Sequence, residues 1–406
     1  MKISILIPTR DRLQYLRYAI ASVLREEETD WEVIVSDNDS REDVAGYVAE
    51  LGDERIRYFR TDRPLPVTDN WNNALNHSTG DYVLMLGDDD AVLSGYFRRM
   101  RCLIDRFDGP EVIYHAALLY TYPGVRPDAP AGYLQPYGYA SFFKDPPRAF
   151  RLDLGQAQSV VRDAMRFRVR YGFNMQFATF SRVTADALRN GGEFFRTRFP
   201  DYYAMNLLFA RSSSIVVDSR PCVVIGVTPK SYGFYHLNKR EAEGRAMLEA
   251  SGDLGARAIA DRALLPGTNI NNGWLLAMEA LSARLGGSPD LRPSYRRYRI
   301  LQIAHTYKAY FVNRTSDRRE VDQLNQHLAP IERAFYGTAA RIAGRAARVV
   351  PSPVGRILRG TFEYVILRQF PFYDPGRDPR RFETVLDVLE RVDPDTYPRR
   401  FSRSRT

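Results

Sequence analysis

Gly80-Asp81-Tyr82-Val83-Leu84-Met85-Leu86-Gly87-Asp88-Asp89-Asp90 decides how this chain is read. Val83 to Leu86 form a short apolar run, the pattern of a strand buried on both faces. Gly87 ends the run and three carboxylates follow. Adjacent carboxylates repel, so a fold keeps Asp88, Asp89 and Asp90 together only where they are solvated or bind a cation. Oxygen-only ligands suit Mg²⁺ or Mn²⁺, and Mg²⁺ is commonly shared between a carboxylate or two and substrate phosphates. A solvated acidic turn accounts for the triplet equally well when it is taken alone.

The residues leading up to this stretch alternate strand and helix patterns. Ile3 to Ile7 reads as a first strand that Pro8 stops. Asp11 can cap a helix with Leu13, Leu16, Ile20 and Val23 on one face. Trp31 to Val35 reads as a second strand. It ends in the polar turn Ser36 to Ser40, and a helix opens near Glu42 with Val44, Val48 and Leu51 as its stripe. Ile56 to Phe59 is a third strand, and Thr68 or Asp69 caps a short helix through Trp71 and Leu75. This order predicts an α/β fold: a mostly parallel sheet with helices on both faces. Ligands on such sheets bind beyond the carboxyl ends of the strands. Thr9 to Asp11, Asp37 to Ser40 and Asp88 to Asp90 all fall at such ends. One pocket is therefore expected, with Asp37 toward a base or ribose and the triplet toward a metal-bound diphosphate. The glycine fingerprint of dinucleotide sites is missing, as is the phosphate-loop motif.

Three motifs in this order resemble the family-two glycosyltransferases of the GT-A fold. They are Ile5-Leu-Ile-Pro-Thr-Arg-Asp-Arg12, Val33-Ile-Val-Ser-Asp-Asn-Asp-Ser40, and Asn70-Trp-Asn-Asn-Ala-Leu75 followed by Gly80 to Asp90. The resemblance covers roughly the first 235 residues. It implies a Rossmann-like GT-A domain, a nucleoside-diphosphate sugar as donor with UDP favoured, and a divalent cation, Mg²⁺ or Mn²⁺. It further implies that Pro8, Thr9, Arg10, Asn38, Asn72 and Asp89 lie near the donor, and that Asp37 contacts the base. The family's Asp-any-Asp motif falls on Asp88 and Asp90, with Asp88 near ribose or metal and Asp90 the foremost metal ligand. Many members carry aspartate where Gly87 stands here, which leaves open which members of the triplet bind metal.

Ser94 to Phe107 reads as a helix and Glu111 to Tyr120 as a strand. Tyr120 to Phe150 is rich in Pro, Gly and Tyr without a period. Such a segment inside a domain is usually functional or mobile. Tyr133, Tyr137, Tyr139, Phe142 and Phe143 can face a sugar ring, or pack the loop on itself. Gln156 to Arg168 reads as a helix and Phe173 to Phe180 as a strand. In Gly191 to Tyr203, Pro200 places Asp201 at a helix start, where a carboxylate can serve merely as a cap. The resemblance instead puts the general base here, as Asp201, with Glu193 the alternative. A carboxylate suits the work of taking a proton from an attacking hydroxyl. Ile215 to Val217 and Cys222 to Val227 read as closing strands. His236 follows, a metal ligand in related folds or a structural histidine.

Past Asn238 the pattern turns helical, dividing the chain into a catalytic region, 1–238, and a basic helical region, 239–406. Helices are expected over Ala242 to Ala250, Leu254 to Leu264, Trp274 to Leu285 and Tyr295 to Val312. From Ile331 to Phe370 arginines interleave with apolar residues, which fits either a helix on an anionic membrane or one packed on the catalytic region. The tail from Asp374 suggests no function.

The whole chain has 406 residues, 44% hydrophobic and 26% charged, the balance of a globular protein. Its net charge of +9 allows anionic partners without choosing among them, and only that charge speaks for nucleic acid. Cys102 and Cys222 supply no disulfide framework and no zinc pattern, as expected in a reducing compartment. The start is too short for a signal peptide, and no stretch approaches the roughly 20 apolar residues of a membrane span. A cytoplasmic enzyme is expected, peripheral at the inner membrane face, acting on a glycan or lipid-linked acceptor in surface polysaccharide synthesis. The competing expectation is a catalytically silent nucleotide-binding scaffold of the same fold.

Overall fold

The computed structural model describes residues 1–137, 140–144, 148–189, 191–238, 240, 243–244, 264–267, 269–349 and 375–401. Ten strands among them form one sheet. In chain order they are β1 (Ile3–Thr9), β2 (Trp31–Asp37), β3 (Ile56–Arg60), β4 (Tyr82–Met85), β5 (Ala91–Val92), β6 (Val112–Thr121), β7 (Tyr133–Tyr137), β8 (Ala149–Arg151), β9 (Ala178–Ser181) and β10 (Ile215–Val227). They lie side by side as β3-β2-β1-β4-β9-β6-β10-β5, with β7 on β6 and β8 on β10. β1, β2, β3, β4, β6 and β10 run in one direction. β5, β7, β8 and β9 run against them. The expected α/β architecture with a mostly parallel sheet holds.

The helices follow the apolar stripes. Eight precede residue 238: α1 (Leu13–Leu24), α2 (Val44–Leu51), α3 (Val67–His77), α4 (Tyr96–Arg106), α5 (Leu154–Met165), α6 (Arg182–Arg189), α7 (Pro200–Arg211) and α8 (Tyr232–Leu237). Five come after it among the described residues: α9 (Asn269–Arg284), α10 (Tyr295–Lys308), α11 (Arg318–Gln326), α12 (Pro330–Val349) and α13 (Val385–Arg391). The helices expected over 242–250 and 254–264 fall almost wholly outside the described residues, as does the arginine-rich stretch beyond 349.

Several local readings need correction. β1 does not stop at Pro8 but runs through it, in register with Ser36. The Leu6 carbonyl accepts from Leu86 N–H, so alternate residues of β1 bond toward β4. Pro8 points the same way, where β4 has already ended, so its missing N–H forfeits nothing. Asp11 does not cap α1. Its φ of 51° lies in the left-handed region, and its carboxylate accepts from Arg41. The first free N–H of α1, at Leu13, is met instead by Glu42. α3 begins at Val67 after Pro66, and the Thr68 hydroxyl donates to the Thr197 carbonyl rather than capping the helix. The two closing strands are one strand, β10, interrupted by a bulge between Asp218 and Val223. The bulge buries Asp218, which Arg99 pairs at 2.6 Å.

Residues beyond 238 pack directly on the earlier helices. Trp274 of α9 donates its indole N–H to the Ala164 carbonyl of α5, and Ser294 N–H donates to the Met165 carbonyl. Gly273 lets α9 touch the Phe199 ring, because a Cβ there would lie 2.2 Å from it. The tail also has a structural role: Asp378 N–H donates to the Leu134 carbonyl, and Tyr120 donates to the Phe382 carbonyl. No helix among the described residues is long and apolar enough to cross a membrane.

Opposite the triplet, at the other end of β2, Glu32 gathers the start of the sheet. It accepts from the Ser4 hydroxyl at 2.7 Å, from Thr79 N–H at 2.5 Å and from Gly80 N–H at 3.1 Å, and it pairs with Lys2 and Arg57. Burial alone would raise its pKa. The Thr79 N–H, the Ser4 hydroxyl and the Arg57 and Lys2 cations outweigh burial and hold it at about 2. The stabilisation is present above the ordinary glutamate value and is lost as the pH falls through about 2. Glu32→Gln keeps the shape but removes the charge. It is expected to cost about 2 kcal/mol in urea denaturation at neutral pH, and the deficit should shrink in acid.

Candidate active site

A cleft of about 1300 Å³ opens over the carboxyl ends of β1, β2 and β4. Pro8, Thr9, Arg10, Asn38 and the Gly87 to Asp90 stretch line one side. Phe199 to Tyr202 at the start of α7 lines another. Ile270, Asn271 and Trp274 of α9, with Leu301 and His305 of α10, close it from the helical region. Single-ligand pockets run to roughly 1,000 Å³ at most, so this cleft has room for two substrates.

The triplet is neither solvated nor loose. Asp88 accepts from the Thr9 hydroxyl at 2.7 Å and pairs with Arg12 at 2.8 Å. Asp89 pairs with Arg12 at 2.5 Å and accepts from the Thr228 hydroxyl. Asp90 accepts from Gly87 N–H at 2.7 Å, from the Gln176 amide at 2.8 Å and from Gly226 N–H at 2.8 Å. Burial and the neighbouring charge of Asp89 push the carboxyls of Asp88 and Asp90 upward, although the Arg12 guanidinium works against this at Asp88. Two glycines make the arrangement possible. A Cβ on Gly226 would lie 1.9 Å from the Asp89 carbonyl oxygen, and one on Gly87 would lie 2.6 Å from the Asp90 carboxylate. A side chain at 87 would displace the Asp90 carboxylate that the Gly87 N–H now holds.

A divalent cation does not fit this arrangement. Among the described residues no three carboxylate, histidine or cysteine side chains are grouped to hold one. Both oxygens of Asp90 are engaged by protein donors, and the guanidinium of Arg12 stands between Asp88 and Asp89. Arg12 is held in its charged form by those two carboxylates against the cost of its burial. His236 lies in α8, but its side chain is outside the described residues.

Asp201 lines the same cleft from the first turn of α7, directly after Pro200. A helix N-terminus favours the anion, but desolvation prevails and its pKa is pushed up to about 7. Its charge acts on Tyr137, which also lines the cleft. Of the loop aromatics, Tyr133 and Tyr137 reach the cleft, whereas Phe142 and Phe143 pack against Tyr114 in the core. Tyr139 is outside the described residues. Glu193 is exposed and off the cleft wall.

Two of the residues expected near the donor make their bonds inside the fold. Asp37 is fully buried; it accepts from the Tyr58 hydroxyl at 2.7 Å and Ser40 N–H at 2.9 Å and is not on the cleft wall. Asn72 gives its amide to the Phe195 carbonyl and accepts Phe195 N–H, so it anchors the 191–200 segment. Asn38 reaches the wall while holding Leu65 through both its N–H and its C=O. Arg12, Gln176, Thr228 and Gly226 had no expected role. Arg12 stood within a quoted motif, but nothing local marked the other three, whose importance comes from tertiary approach.

Residues 4–135 match the family model described as Glycosyl transferase family 2. The chain is 38% identical over 97 residues to a GalNAc(5)-diNAcBac-PP-undecaprenol beta-1,3-glucosyltransferase of Campylobacter jejuni, covering 23% of this chain and 31% of the relative. It is 28% identical over 88 residues to a UDP-Glc:alpha-D-GlcNAc-diphosphoundecaprenol beta-1,3-glucosyltransferase of Escherichia coli, covering 22% of this chain and 35% of the relative. The chain thus aligns with about a third of the length of these curated relatives. Among solved structures it is similar to S. aureus TarS 1-349 in complex with UDP-GlcNAc, at 13% identity and a TM-score of 0.45, over 93% of this chain and 95% of that one. The family segment ends before Asp201 and before every cleft residue of α9 and α10.

The close approach of β10 to the triplet is testable. Gly226→Ala should lower stability by about 2 kcal/mol through overpacking, read as a shift in urea midpoint with an unchanged m-value.

Proposed function

We propose that this chain is a glycosyltransferase that moves a sugar from a nucleoside-diphosphate sugar to a hydroxyl of a glycan or lipid-linked acceptor. The convergence of the Asp88 to Asp90 triplet and Asp201 on one cleft, large enough for two substrates, carries the reading. The family 2 segment supports it, and so do the lipid-diphosphate acceptors in the relatives' names. UDP is the favoured nucleotide, because one of those names specifies UDP-Glc.

In this reading Asp201 is the general base. The acceptor oxygen bonds to the anomeric carbon as the bond from that carbon to the diphosphate breaks. The hydroxyl proton passes to the Asp201 carboxylate, and the nucleoside diphosphate leaves with the electron pair. A single displacement of this kind inverts the anomeric carbon. Arg10, Arg12 and Lys230 line the cleft and offer positive charge to the departing diphosphate. Tyr133 and Tyr137 offer ring faces to a sugar. Because the triplet does not fit a metal as arranged, no step is assigned to one.

We also propose that α12 rests on an anionic membrane. Ile331, Phe335 and Ile342 are 78%, 66% and 62% exposed, unusual for large apolar side chains. They recur at helical spacing with Thr338 and Arg345, all on the face opposite Gly337 and Gly344, which are buried. Arg345 lies within the stripe and Arg341 beside it. Apolar insertion with basic flanks is how a helix lies in an anionic interface.

Donor turnover measures the first proposal. Asp201→Asn is expected to reduce kcat by about 10²- to 10⁴-fold. The base must be ionised, so wild-type kcat/KM should rise with pH through about 7 and level off above it. Undiminished turnover in the variant would remove Asp201 from this role. For α12, sedimentation with anionic vesicles should fall by about tenfold in Phe335→Glu, while turnover of a soluble acceptor is unchanged. Equal binding by wild type and variant would rule out this surface.

A further inference from the structure

The cation of this site belongs to the chain. We propose that Arg12 occupies the place of a divalent ion, so that a nucleoside diphosphate binds here without added metal. The inference rests on the donor reading above, but its first test does not.

The guanidinium has two carboxylates in its plane of reach, Asp88 at 2.8 Å and Asp89 at 2.5 Å, and it also donates to the Thr228 hydroxyl at 2.8 Å. A planar fork between two carboxylates satisfies the same oxygens a dication would need, and an ion placed there would meet a fixed positive charge. Position is enforced from three directions. Asp11 ahead of Arg12 takes the left-handed turn, Arg12 itself is the residue before the first turn of α1, and Thr228 lies just beyond β10. The Arg12 side chain keeps 17% of its surface exposed and lines the cleft, so an anion that enters meets its positive charge. Asp90 already spends three of a carboxylate's roughly four acceptor sites on Gly87, Gln176 and Gly226.

The full chain is titrated first with MnCl₂ alone, following free Mn²⁺ by electron paramagnetic resonance. Wild type is expected to show no saturable site, whereas Arg12→Ala gains one that Asp89→Asn, added to it, removes. UDP binding is then measured by calorimetry in EDTA and in Mn²⁺. Wild-type affinities in the two buffers should agree within about threefold, and Arg12→Ala should lose about tenfold or more in EDTA and recover part of it with Mn²⁺. Arg12→Lys, which keeps the charge and loses the fork, should lie between, and circular dichroism certifies the fold of each variant. Stoichiometric Mn²⁺ binding by wild type, or UDP binding that collapses in EDTA and returns with Mn²⁺, overturns the proposal. If UDP binds in neither buffer, the donor reading falls, and the Mn²⁺ titration still decides the place of Arg12.

Discussion

Asp90 holds three separate segments in one place. Its carboxylate takes an N–H from its own turn at Gly87, an amide from Gln176 ahead of β9, and an N–H from Gly226 near the end of β10. These elements are far apart in the chain and meet only because the sheet order brings β4, β9, β6 and β10 side by side. A buried carboxylate with fewer donors would be costly to keep. With three, it locks the strand ends and leaves Asp89, Thr9 and Arg12 to shape the cleft floor. The glycines at 87 and 226 are a condition of that lock, since a side chain at either would occupy the space that the triplet fills.

What the sequence disclosed followed from local chemistry. The apolar run before Gly87 has the pattern of a buried strand, and the polar residues after it fall at that strand's end. Pro200 marked a helix start at Asp201, which alone suggested a cap; the family resemblance singled Asp201 out as a base. Readings failed where a tertiary partner redirected a local signal. Asn72 and Thr68 looked like ligand-facing or capping residues, yet they tie α3 to the 191–200 segment. Asp37 sits at the strand end as expected, but Tyr58 from the neighbouring strand claims its carboxylate. β10 read as two strands because Ser219, Arg220 and Pro221 break its apolar pattern, and only the buried pairing of Asp218 with Arg99 explains the bulge. α6 escaped notice because it buries little besides Thr184 and Ala185.

Charge is managed inside the cleft rather than at its rim. Arg12 neutralises part of the triplet, and Lys230 donates to the Asp11 carbonyl, drawing the segment before α8 over the turn that carries Arg12. The turn after β1 therefore touches both the acidic floor and the opposite bank. A small shift in that turn would be felt by every group that meets a ligand.

The cleft is built from unequal contributions. One bank is made of strand ends inside the family segment, whereas α7, α9 and α10 form the other from later residues. A cleft divided in this way can change the partner it receives by rebuilding its helices while its sheet stays as it was. Exchange of the later portion between kin would then be a route to new linkages, provided that Trp274 still finds Ala164 and Gly273 still clears Phe199.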